Sequence, residues 1–196
     1  MEFIEGKNLR TLLQEKGKLA PEEAVDIARQ VCQALEAAHS VEIIRRDLKL
    51  PNVMMDGSGR ILVMDFGLAR TLANEGMTQT GAVLGTMEYM SPEQALGKGL
   101  DQRSDIFAFG LILYELFAGE RPFVADSALA SLIMRIQVAA TPLLERNAEI
   151  PGALGSIVDK CLERDLRRSR RTRTSLRRSE CEAARHARGR QHTYSD

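Results

Sequence analysis

Apolar residues recur at helical spacing after Pro21, where Ala24, Ile27, Ala28, Val31, Leu35 and Ala38 share one face. Pro21 in the first turn, followed by Glu22 and Glu23, marks the start of that helix, and its end is expected near His39. Asn8 is placed to cap a shorter helix over Leu9–Lys16. The run DIFAFGLILYELFAG, starting at Asp105, is apolar on nearly every face, the pattern of a helix buried in a core. Ser104 is its expected cap, and Gly119 with Pro122 its expected end. Residues 126–138 and 153–164 predict two more helices. Strand character is confined to Met1–Gly6, to VMM at 53–55 and to ILVM at 61–64, the last two joined by the turn DGSGR. Pairing Val53 with Met64 in that hairpin sets Asn52 opposite Asp65, with Asp47 and Lys49 just upstream. The fold class is therefore mainly α with short β-hairpins.

Composition adds a boundary. The chain has 196 residues, 44% hydrophobic and 28% charged, enough for one domain with a real core. Its net charge of zero hides an asymmetry. Up to Glu163 there are 16 Lys+Arg against 23 Asp+Glu, and from Arg164 onward 11 Arg against 4 acids. Residues 1–163 thus read as a folded unit and 164–196 as an Arg-rich tail. That tail is read as disordered, or as the product of a reading-frame change, which best accounts for the abrupt switch. Nucleic-acid binding is disfavoured for it, because no aromatic residues interleave the arginines. Cys32, Cys161 and Cys181 are too scattered for a disulfide framework or a zinc site, which favours a reducing, cytoplasmic setting. Cys32 and Cys161 read as small core residues, and His39 as a capping or surface residue. No apolar run is long enough to span a membrane, and the N-terminus lacks a signal-peptide pattern.

The oxygen pair Asn52 and Asp65 suits a hard cation such as Mg²⁺, which binds through one or two carboxylates plus substrate phosphates. The surrounding residues read Arg45-Arg46-Asp47-Leu48-Lys49-Leu50-Pro51-Asn52 and Asp65-Phe66-Gly67. This stretch resembles the catalytic loop and metal-binding loop of eukaryotic-type protein kinases, of the bacterial serine/threonine kind, in which H-R-D-L-x-x-x-N is followed by D-F-G. Arg45 stands in place of the family His, and Pro51 one position later than the family Pro. Further on, Ser91-Pro92-Glu93 stands where the family has A-P-E, and Asp105 opens the buried helix. Arg121-Pro122 resembles the loop after that helix. The resemblance covers residues 1–165 and implies a protein-kinase-like C-lobe, an α+β family, starting at the hinge.

That resemblance implies roles. Asp47 accepts the proton of the substrate hydroxyl, Lys49 neutralises the transferring phosphate, and Thr86 orders both. Asn52 and Asp65 hold Mg²⁺ for ATP, and Glu2 and Ile4 offer backbone hydrogen bonds to adenine. Phe66 packs against the first position of the loop, where the guanidinium of Arg45 must find a partner or leave the core. Asp105 holds the backbone of the catalytic loop, and Glu93 is the acid that the family bridges with an arginine. Gly67 starts an activation segment in which Thr78 and Thr80 are candidate phosphosites. A phosphate there would order the segment against Arg46. Thr86 and the Lys49 spacing favour Ser/Thr over Tyr in protein substrates.

No G-x-G-x-x-G occurs in the sequence, and the family's strand lysine and helix glutamate are not found. The expectation is a truncated kinase domain without the N-terminal lobe, binding ATP weakly and transferring phosphate negligibly on its own. The alternatives are a pseudokinase or scaffold that presents its activation segment to a partner, and a gene remnant.

Overall fold

The computed structural model describes residues 5–64 and 87–163. Glu2, Ile4, Asp65, Phe66, Gly67, Thr78, Thr80, Thr86 and the Arg-rich tail lie outside the described residues.

Helix α4 (Gln102–Ala118) forms the middle of the core, and every residue from Phe107 to Phe117 is buried. Its cap is Asp101, whose side chain accepts from Arg103 N, not Ser104. The polar first turn precedes the apolar run, so the helix begins earlier than that run suggests. Ser104 lies inside the turn, and its hydroxyl donates to Glu93 Oε1 at 2.7 Å. The helix ends at Gly119, whose φ of 77° is left-handed. A Cβ there would stand 2.9 Å from Gly17 O, so both conformation and space call for glycine.

Helix α2 (Pro21–Ser40) packs on α4 through its predicted apolar face. Helix α1 (Leu9–Lys16) is capped by Asn8, which accepts from Thr11 N at 2.9 Å. Three strands, β1 (Gly6–Asn8), β2 (Val53–Asp56) and β3 (Ile61–Val63), form one antiparallel sheet in that order. The hairpin register differs by one residue from the sequence expectation. Val53 pairs with Val63, and Met64 N donates to Asn52 O at 2.8 Å. Directly opposed residues share a face, and this register sets Val53 and Met55 beside Val63 and Ile61 on the core side. A one-residue slip would set core positions against outward ones. Gln30 of α2 pins the turn, donating to Gly59 O and accepting from Ile61 N.

The remaining described helices are α3 (Pro92–Ala95), α5 (Ala128–Gln137), α6 (Leu143–Arg146) and α7 (Gly152–Cys161). The two four-residue helices were not foreseen, being too short to show a period. Ser127 caps α5. Helix α7 lies close against α4, where a Cβ on Gly110 would meet Cys161 Cβ at 2.7 Å. Burial pushes the Cys161 thiol up to about 12, so it is an inert packing group, and Cys32 is half-buried against the same core. Among the described residues, no helix is long and apolar enough to cross a membrane.

Candidate active site

Asp105, in the first turn of α4, is 1% exposed and meets three partners through its two oxygens. Oδ2 accepts from Arg45 N at 2.9 Å and meets His39 Nε2 at 2.8 Å, while Oδ1 accepts from Arg46 N at 3.0 Å. A buried carboxylate needs such donors, and here two of them are backbone amides immediately before Asp47. His39 is therefore not a surface residue. It is 7% exposed, and its carbonyl accepts from Gln102 Nε2 at 3.2 Å. The side chain of Arg45 stays in the core at 2% exposure. Arg46 itself adopts φ 63°, a left-handed conformation uncommon for a residue with a side chain.

Past this anchored backbone, three predicted site residues come together. Lys49 Nζ lies 2.9 Å from Asp47 Oδ2. Asn52 Nδ2 donates to Asp47 O at 3.1 Å and to the same Oδ2 at 3.3 Å. A short 3₁₀ turn, Leu50–Asn52, makes this possible by bringing Asn52 back over the loop. One oxygen of Asp47 is thus committed to Lys49 and Asn52. Among the described residues the other, Oδ1, takes no hydrogen bond, and the side chain is 38% exposed. Asn52 Oδ1 is likewise left without a hydrogen bond among the described residues, because the amide nitrogen faces Asp47. An open carboxylate oxygen, an ammonium group and an amide oxygen form a donor set that fits a hydroxyl, a phosphate and a hard cation respectively.

The segment leading into α3 is fixed by different means. Arg135 of α5, 1% exposed, donates through one guanidinium nitrogen to Met87 O at 2.6 Å and Met90 O at 2.9 Å. Burial, helped by nearby Arg121, pushes the Arg135 pKa down to about 10. Between those carbonyls, Tyr89 OH donates to Glu115 Oε2 at 2.6 Å and accepts from Arg10 at 2.7 Å. Arg10 also pairs with Glu115 at 2.6 Å and with Glu88 at 3.3 Å, and Arg121 reaches Glu88 at 3.1 Å. Burial works against the Arg10 charge, but Tyr89, Glu115 and Glu88 outweigh it and raise its pKa. Burial beside Glu115 raises the Tyr89 pKa, so the hydroxyl remains a donor.

Ser91 caps α3 in a capping box with Gln94. Glu93 is 5% exposed, and its Oε1 accepts from the Ser104 hydroxyl. Sequence reasoning passed over Arg10, Glu115, Tyr89, Gln94 and Arg135. A charged residue inside an all-apolar helix, as Glu115 is, was the one usable signal, since such a group must be paired.

Comparison with known proteins agrees with this geometry. A family model described as "Protein kinase domain" matches residues 1–181. The chain is 41% identical over 167 residues to the serine/threonine-protein kinase PknB of Mycolicibacterium smegmatis, covering 84% of this chain and 27% of that protein. A probable serine/threonine-protein kinase PknB from Lactococcus lactis is 40% identical over 85% of this chain and 27% of its own length. Another, from Corynebacterium glutamicum, is 46% identical over 72% of this chain and 22% of its own. The chain spans about a quarter of the length of these curated relatives. The chain belongs to the protein kinase family.

Proposed function

We propose that this chain carries the catalytic loop of a protein serine/threonine kinase, and that the paired Asp47, Lys49 and Asn52 perform transfer of the ATP γ-phosphate. The observation that carries the proposal is the division of labour on Asp47. Oδ2 is held by Lys49 and Asn52, which leaves Oδ1 to accept a proton from an incoming Ser or Thr hydroxyl. The hydroxyl oxygen then bonds to the γ-phosphorus as the bond to the β–γ bridging oxygen breaks, and ADP leaves with that oxygen. The Lys49 ammonium lies beside the base, where it can balance charge on the transferring phosphoryl oxygens. Asn52 Oδ1, together with Asp65, is assigned to hold Mg²⁺. A divalent cation held there would supply positive charge to neutralise that developing on the phosphate. Thr86 is assigned to order Asp47 and Lys49. Glu2 and Ile4 are assigned to adenine, Thr78 and Thr80 to phosphorylation and Arg46 to its recognition.

The named relatives are serine/threonine kinases, which supports hydroxyls of Ser and Thr as the acceptors. With no G-x-G-x-x-G in the 196 residues, transfer by the chain alone is expected to be very slow. The test joins the chain to the Gly-rich loop and strand lysine of a PknB relative and supplies Mg-ATP with peptides bearing Ser, Thr or Tyr. Label is expected on Ser and Thr. Asp47→Ala should lower the rate at least about 100-fold, the usual scale for a lost general base, while nucleotide binding persists. Label on Tyr, or a rate indifferent to Asp47→Ala, contradicts the proposal.

A further inference from the structure

The side-chain amide of Gln94, at the third position of α3, is used at both ends. Oε1 accepts from Ser91 N at 2.8 Å, and Nε2 donates to Arg46 O at 2.8 Å across 48 positions of sequence. The amide orientation is dictated by its partners, because a backbone N–H can only donate and a carbonyl can only accept. A helix cap needs the first bond alone. The second reaches the carbonyl of the residue directly before Asp47.

Arg46 needs such support. Its φ of 63° is left-handed, a conformation strained for a residue with a side chain, which persists only where neighbours hold it. Two bonds do so, one on each side of the residue: Arg46 N donates to Asp105 Oδ1 at 3.0 Å, and Arg46 O accepts from Gln94. Arg46 O belongs to the same peptide unit as Asp47 N, so fixing that carbonyl fixes the plane from which the Asp47 side chain departs.

We infer that Gln94 is a positioning residue for Asp47, locking the Arg46–Asp47 peptide to the Ser91–Pro92–Glu93 turn so that the base and this turn keep one mutual geometry. The functional meaning of the lock rests on Asp47 being the catalytic base, but the lock itself is testable without nucleotide or transfer.

The test is amide hydrogen exchange on the full 196-residue chain, comparing Gln94→Glu and Gln94→Ala with the unchanged protein at each pH. That reference cancels every pH effect that the variants share with the unchanged protein. In Gln94→Glu the carboxylate still accepts from Ser91 N but cannot donate to Arg46 O until it is protonated, near its ordinary pKa of about 4.3. At neutral pH the Arg45 and Arg46 amides should lose protection by about fivefold, the factor for one hydrogen bond of about 1 kcal/mol. Protection at Ser91 should remain. On acidification through that range, the Arg45 and Arg46 amides of Gln94→Glu should recover, whereas those of Gln94→Ala should not. Melting curves for both variants separate local loosening from unfolding. Unchanged protection at Arg45 and Arg46 in Gln94→Glu at neutral pH, a loss that acid does not reverse, or an equal loss at Ser91 each overturns the inference. Kinase chemistry could fail at Asp47 with this lock intact, and the lock could fail with Asp47 still acting as the base.

Discussion

Two backbone segments, Arg45–Asp47 and Met87–Met90, are held by opposite charges. A buried acid, Asp105, accepts from the Arg45 and Arg46 amides, and a buried base, Arg135, donates to the Met87 and Met90 carbonyls. The two anchors also differ in how well they are compensated. Asp105 has His39 beside it as well as its two amides, whereas among the described residues Arg135 has no directly bonded carboxylate and leaves Nε without a hydrogen bond. Its lowered pKa expresses that imbalance, since burial disfavours the charged form. The acid is thus a well-satisfied hub, and the base is an anchor that costs stability in its own right.

The sharpest way to break this contrast is to remove each anchor in turn. Asp105→Ala orphans the buried Arg45 amide, the part-buried Arg46 amide and the His39 ring, and should destabilise the fold by about 3–5 kcal/mol, read from the urea midpoint. Exchange protection at Arg45 and Arg46 should vanish before the global transition. Arg135→Met also orphans two carbonyls, but it relieves the desolvation of a guanidinium whose stem it preserves in shape. Its cost should be smaller, about 1–2 kcal/mol, with the loss of order confined to Met87–Met90. The sign follows from the pKa. A base whose folded pKa lies below its unfolded value makes folding less favourable while charged, so removing the charge returns part of what the lost bonds take away. Equal costs for the two variants would mean that the two anchors are equally compensated.

The same contrast explains what could be read from the sequence. Asp105 was legible because a carboxylate leading into an all-apolar helix has to find donors, and because it falls in place in a run of kinase-like motifs. Arg135 was not, because an arginine on an amphipathic helix reads as the solvent face, and only packing against Met87–Met90 shows that the face is covered. His39 was misread for a related reason. A histidine at a helix end gives no sign of burial until α4 is laid against it. Helices α1, α2 and α4 were read closely from period and punctuation, with Asn8, Pro21 and Gly119 at their ends. The hairpin was foreseen but its register was not, since the outward or inward facing of Met54, Met55 and Met64 cannot be told from composition. That slip leaves the grouping of Asp47, Lys49 and Asn52 intact, because those residues lie on one continuous loop and its 3₁₀ turn.

If this loop serves a metal–nucleotide site, metal-dependent binding of ATP shows it most directly, without requiring turnover. ATP is titrated into the 196-residue chain with and without Mg²⁺, and into Asn52→Ala and Asp47→Ala, with binding followed by the shift in melting temperature. Weak binding is expected that requires Mg²⁺, is lost in Asn52→Ala and survives in Asp47→Ala. Binding that ignores both Mg²⁺ and Asn52→Ala would contradict a metal–nucleotide role for the loop.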